Sequence, residues 1–295
     1  MGIIGAKNEF QQSYREQIMK TILFPTDFSQ NAIHASLYAG MIARGMNAHI
    51  ILLNVYSVPM MTTEYQIPYD IDEFLKNIKE VAKEKLREFT KKLMDDTGLL
   101  PNKVIQITDY GQTTDSIVKI AESEKVDLII MGTKGATNTM DKWLGTNAQN
   151  VLESAGCAVW VIPRNAPLDY PKVFMYAADF KEDDALSIHK VLEFATPLRA
   201  ICKVIHVHDY SETMSNQKIK EIVSGLNHEF EHEVTVKSIN REEVYSGLKT
   251  YIRTHKPDVL ALAVHPKSFL SKIFETSITE QFVQEGDIPL LTFRK

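Results

Sequence analysis

Five short apolar runs punctuate the first half of the chain: Thr21–Phe24, His49–Val55, Lys103–Thr108, Leu128–Met131 and Ala158–Ile162. Most stay apolar through consecutive positions, as strands buried on both faces do. Between them, Asn31–Gly45, Ile71–Thr97, Thr114–Glu124 and Thr146–Ser154 carry apolar residues at helical spacing. Strand and helix in alternation predict a parallel sheet covered by helices on both sides. For five strands, the orders 2-1-3-4-5 and 3-2-1-4-5 are the main candidates. The second is preferred, because it sets the ends of strands 1 and 4 side by side, where ligands of such sheets bind.

The pattern then repeats. Ile22-Leu-Phe-Pro-Thr-Asp27-Phe28 is echoed by Val173-Phe-Met-Tyr-Ala-Ala-Asp179-Phe180, and Asp179 follows Asp27 by 152 residues. Ile50–Val55 is echoed by Cys202–Val207 at the same offset, and Lys125-Val-Asp127 by Lys256-Pro-Asp258 at an offset of 131. The second copy is therefore shorter between its second and third strands. Arg164-Asn-Ala-Pro-Leu-Asp-Tyr-Pro171 carries two prolines after a strand, as a linker should. The expected organisation is α/β, with two doubly wound five-stranded parallel-sheet domains in tandem. An extension over 1–18 comes first, then domains over 19–163 and 172–295 joined by a linker at 164–171.

Composition narrows the class. With 44% hydrophobic and 24% charged residues in 295, each half has enough apolar content for its own core. The net charge is −5 and no basic stripe is visible, which argues against nucleic acid as a partner. The longest apolar runs, such as Val259–Val264, are far shorter than the ~20 residues that span a membrane. Two cysteines, Cys157 and Cys202, make neither a disulfide framework nor a zinc pattern. No secretory signal is visible, and a cytoplasmic location is expected.

The chemistry gathers after strand 4. Met131-Gly132-Thr-Lys-Gly135 is followed by nine residues and then Gly145-Thr146-Asn147, which opens a helix. Glycines let the backbone turn and approach a ligand without a Cβ in the way. A helix N-terminus offers free N–H groups and a favourable dipole to an anion. Asp27, at the end of strand 1, could accept from an adenine amino group or a ribose hydroxyl. Taken singly, each glycine reads as a turn residue, and Asp27 with Ser29 as a helix cap. Together they predict a site for a ligand with phosphates at one end and a polar ring at the other.

The Gly-x2-Gly-x9-Gly-Thr spacing after an apolar strand resembles the ATP-binding signature of the universal stress protein family. Ile22–Ser29, Leu52–Val55 and Cys157–Ile162 are similar to that family's first, second and last strands. The resemblance implies ATP, with Mg2+ or Mn2+ carried on its phosphates, and a role as a stress sensor or adaptor. By it, Asp27 and Val55 would hold the adenosine. Gly132, Gly135, Gly145, Thr146 and Asn147 would hold ribose and phosphates, with Lys134 and Lys142 in the same loop. It also implies pairing of the two domains through their last strands, Ala158–Ile162 and Pro289–Phe293, as an intramolecular pseudo-dimer. Association of whole chains into a homo-oligomer is compatible with this scheme, though no residue feature demands it.

The second copy departs from the signature. Ala263 stands for Gly132, His265 or Pro266 for Gly135, and Glu275 for Gly145, while Asp179, Val207 and Thr276 match. One nucleotide per chain is therefore expected. His206, His208 and His265 near Asp179 offer metal-ligand types, but a metal site is not expected from them. Met60, Met61, Tyr65 and Tyr69 suggest loop packing or a flap, and Trp143 packs the motif loop. No Ser-Gly-Gly-x-Asp-Ser pyrophosphate loop follows strand 1, no His-Ile-Gly-His motif occurs, and no general base is visible. A binding protein is expected, with a weak ATP hydrolase or a nucleotide-free scaffold as the alternatives.

Overall fold

The computed structural model describes residues 20–57, 71–133, 144–178, 184–208, 221, 223–227, 230, 234–240, 244–264 and 288–294. In the first half, β1 (Thr21–Pro25), β2 (His49–Tyr56), β3 (Val104–Tyr110), β4 (Leu128–Gly132) and β5 (Ala158–Ile162) alternate with α1 (Gln30–Gly45), α2 (Ile71–Thr97), α3 (Thr113–Ser123) and α4 (Thr146–Ser154). In the second half, β6 (Val173–Ala178), α5 (Asp184–Ala195), β7 (Ile201–His208), β8 (Val234–Asn240), α6 (Val244–His255), β9 (Val259–Val264) and β10 (Leu290–Arg294) repeat the theme. Strand 3 begins one residue later than expected. Pro101 starts a single 3-10 turn through Lys103, whose N–H donates to Leu100 O at 2.9 Å.

The strands form one ten-stranded sheet in the order β3-β2-β1-β4-β5-β10-β9-β6-β7-β8. Each half thus has the order 3-2-1-4-5, with every pair inside a half parallel. The junction is antiparallel, with Leu290 opposite Val161, Leu291 opposite Trp160 and Thr292 opposite Val159.

Alternation along the strands builds two apolar layers. Ile22, Phe24, Ile50, Leu52, Leu128, Ile130 and Trp160 face α1 and α2, and in the second half Phe174, Tyr176, Val259 and Ala261 face α5. Leu23, Ile51, Leu53, Ile129, Met131, Val159 and Val161 face α3 and α4, and Met175, Leu260 and Leu262 face α6. Both layers run through the junction. Trp160, fully buried, meets Tyr38 edge to face at 5.6 Å and Phe174 at 5.5 Å.

The repeat is also written in the backbone. Asn47 (φ 53°) and Arg199 (φ 57°) are left-handed residues 152 apart, each after the first helix of its half. Lys125 (φ 50°) and Lys256 (φ 36°) are left-handed 131 apart, each after the helix preceding strand 4. Asp127 N–H donates to Thr21 O at 3.0 Å, and Asp258 N–H to Val173 O at 3.1 Å. Their carboxylates accept from Thr21 N–H in one half and from Lys172 and Val173 N–H in the other, all at 2.8 Å. Among the described residues, no helix is long and apolar enough to cross a membrane.

Candidate functional site

Register places the candidate residues along one edge of the first half. Pro25 pairs with Leu53, so Asp27 comes opposite Val55. Leu23 pairs with Ile129, so Gly132 comes level with Thr26. This is the carboxyl edge at the switch between β1 and β4, because β2 and β3 lie to one side of β1 and β4 and β5 to the other. Val55 is half-buried against the layer under α3, whereas Asp27 is exposed.

The turn from β1 to α1 is held by a run of short-range bonds. Thr26 N–H continues the ladder to Leu53 O at 2.8 Å, and Asn54 Nδ2 donates to Thr26 O at 2.8 Å. Phe28 N–H donates to Thr26 Oγ1 and Ser29 N–H to Asp27 Oδ1, both at 3.0 Å. Ser29 then caps α1, its Oγ accepting from Ala32 N–H at 3.2 Å. Phe28 sits at φ 61°, a region that costs an L-residue roughly 1–2 kcal/mol. The other left-handed non-glycine residues among those described follow helices, where such a cap is common. Phe28 precedes one. Its ring meets Phe89 of α2 edge to face at 5.6 Å. Asn54, a buried polar residue inside an apolar strand, was the one visible signal of this bracing.

At the other side, Gly145 N–H donates to Thr133 O at 2.6 Å, and Thr133 N–H to Ile162 O at 3.1 Å. The end of β4 and the start of α4 are thereby stitched together. Gly145 is the N-cap of α4 at φ −72° and ψ 155°, without a side-chain capping bond and with no acidic residue in the first turn. The first N–H groups of a helix have no acceptor inside it. With no side chain at the cap, those of Thr146, Asn147 and Ala148 have no acceptor among the described residues, and free N–H groups at a helix start favour an anion. Thr146 and Asn147 are exposed. A methyl on Gly132 would meet Asn31 O at 3.4 Å and Ala35 Cβ at 3.6 Å, ordinary contact distances. Among the described residues, neither its φ nor its neighbours demand a glycine.

Asp27, Val55, Gly132, Gly145, Thr146 and Asn147 thus share one edge. Gly135, Lys134, Lys142 and Trp143 lie outside the described residues, as do Met60, Met61, Tyr65 and Tyr69. Asp179, His265, Pro266, Glu275 and Thr276 of the second half do too, together with the side chains of Val207 and His208. His206 is buried there at the level of Ala178. Among the described residues, no group of three or more His, Cys, Asp or Glu could hold a metal ion. The second half differs in its core as well. Tyr176, at the position of Phe24, donates to the buried Asp184 carboxylate at 2.6 Å, and Asp184 stands where the first half has Ala32.

A doubly wound parallel sheet with a glycine-capped, anion-ready helix at its switch point is the class this architecture defines. The model of the universal stress protein family matches residues 19–163. A universal stress protein of Methanocaldococcus jannaschii is 35% identical over 158 residues, covering 49% of this chain and 95% of the relative. One from Thermus aquaticus is 32% identical over 146 residues, covering 49% of this chain and 99% of the relative. The chain belongs to the universal stress protein family. The crystal structure of a universal stress protein from Archaeoglobus fulgidus shares the fold over 94% of this chain and 97% of that one, with a TM-score of 0.70 at 18% identity.

Proposed function

We propose that this chain binds one ATP, with Mg2+ or Mn2+ on its phosphates, in the half spanning 19–163, and acts as a nucleotide-dependent sensor or adaptor. Adenosine lies against Asp27 and Val55. Ribose and phosphates lie at Gly132, Gly135, Gly145, Thr146 and Asn147. The observation that carries this reading is the Gly145–Thr133 hydrogen bond, which holds an uncapped helix N-terminus beside the glycine end of β4. The half over 172–295, joined by 164–171, serves as the structural partner in an intramolecular pseudo-dimer, and the antiparallel β5–β10 pair supports that reading.

Calorimetric titration of the full chain with ATP and Mg2+ tests it, with an expected stoichiometry near one. Gly145→Glu is the sharp variant. The φ and ψ of Gly145 suit any residue, so the change leaves the backbone unstrained. A carboxylate about 4 Å from phosphate charge costs about 4 kcal/mol at an effective dielectric of 20. The expected loss is close to a thousandfold in affinity. Undiminished binding by this variant would refute the site, and a stoichiometry of two would restore the second half. Turnover of bound ATP would instead favour a hydrolase, and no binding at all a scaffold.

A further inference from the structure

We propose that Phe28 is a positioning residue for Asp27, the carboxylate set against adenosine, its ring docked on Phe89 so that the left-handed turn presents that carboxylate in one orientation. The inference rests on the ATP reading and adds a residue to it. The Asp27 carboxylate sits on the four-residue turn Thr26–Ser29 between β1 and α1, not on the strand itself. Its Oδ1 accepts from Ser29 N–H at 3.0 Å across Phe28, which stands at φ 61°. Left to local preference, a phenylalanine leaves that region, since its Cβ crowds the following carbonyl oxygen. The local bond from Phe28 N–H to Thr26 Oγ1 fixes the start of the turn but not the torsion after it. What opposes escape is tertiary. The Phe28 ring is packed on the layer under α1 and α2 and meets Phe89 at 5.6 Å with planes 65° apart, while Phe89 itself stacks on Phe24 of β1 at 6.5 Å. Strand, turn and α2 are thus joined through three phenyl rings, and the geometry of the carboxylate is set from a helix that is remote in sequence. Strain held by surrounding structure at a binding turn is the expected signature of pre-organisation.

The test uses the full-length chain carrying Phe28→Ala, Phe28→Gly or Phe89→Leu, each also combined with Asp27→Asn. ATP affinity is read by calorimetry, stability by thermal unfolding, and the turn by the Ser29 amide resonance during titration of Asp27. Phe28→Ala and Phe89→Leu are expected to weaken ATP by about twofold to tenfold, the range of one aromatic contact. Phe28→Gly melts higher than Phe28→Ala, because glycine tolerates the torsion, yet binds ATP as weakly. On Asp27→Asn, Phe28→Ala has no further effect on affinity, the coupling expected of residues acting as a unit. In the parent the Ser29 amide follows Asp27, and in Phe28→Ala it no longer does. Parent-like affinity in Phe28→Gly, or a lower melting temperature alone in Phe28→Ala, overturns the proposal. If the parent itself binds no ATP, the functional reading fails separately. The Ser29 amide then decides positioning, and an unchanged titration in Phe28→Ala overturns it.

Discussion

Tyr38 and Trp160 meet at the junction of the halves with their polar atoms buried. Among the described residues, neither Tyr38 Oη nor Trp160 Nε1 has a hydrogen-bond partner. Burial pushes the Tyr38 hydroxyl far above its ordinary pKa, and the Asp258 carboxylate adds in the same direction. A buried donor without an acceptor costs about 1–3 kcal/mol. Tyr38→Phe removes that hydroxyl and keeps the ring, so it is expected to raise stability by about 1 kcal/mol in urea unfolding. The thiols give a pH signature. Burial pushes Cys202 from an ordinary value of 9.0 up to about 12. It also pushes Cys157 up to about 11, with the Asp127 charge adding to the rise. Above pH 9 the unfolded chain has lost these protons while the folded chain keeps them. Their contribution is whole below that pH and is lost as pH climbs through 9 towards the folded values. Urea unfolding at pH 8 and pH 10 is expected to show the loss, and Cys202→Ala to show less of it. At pH 8 a thiol reagent is expected to modify the half-buried Cys157 before the buried Cys202.

At the scale of elements, α1 packs closely on α2 at Gly40. A Cβ there would stand 2.8 Å from Thr97 Cγ2 and 3.2 Å from Leu93 Cδ1. Thr97 cannot turn aside freely, because its Oγ1 donates to Leu93 O at 2.6 Å. Gly40→Ala gains about 1 kcal/mol of helix propensity but loses roughly 1–3 kcal/mol to overpacking. A net fall in melting temperature is expected, and Thr97→Ser, which keeps the hydroxyl and deletes the methyl, is expected to restore it. The strands themselves were readable from composition, since β1, β2, β4 and β5 are apolar on both faces and show as unbroken runs. Ser29 and Gly145 marked their helix starts through cap chemistry. The common edge of Asp27, Val55 and Gly132 follows from strand order alone. Other features carry no local signal. A phenylalanine after an aspartate does not announce a left-handed backbone. The Thr133–Gly145 bond joins main-chain atoms across a loop whose side chains say nothing of it. The Gly40 contact depends on how two helices cross, which periodicity does not encode.

For the whole molecule, the β5–β10 ladder makes two sheets into one and leaves β3 and β8 as the outer strands. Lys20 bridges Asp127 within its own half and Glu193 of the other, and Arg294 donates to Glu153 O at 2.7 Å, so polar contacts flank the ladder. Segment 20–163 made alone would bare the edge of β5 together with Trp160. An open apolar edge invites another strand. The isolated segment is expected to self-associate in sedimentation. In a Trp143→Phe background, its Trp160 emission is expected to shift to the red on dilution, while the intact chain stays blue. The reversal of strand direction at the junction has a consequence for traffic around the protein. Within each half every strand runs the same way, so the carboxyl edge of β1 and β4 and that of β6 and β9 open on opposite sides of the sheet. A strand of eight residues such as β2 or β7 separates those sides by about 26 Å at ~3.3 Å per residue. ATP entering the first half, as proposed, therefore approaches from the direction opposite to that faced by the β6–β9 edge.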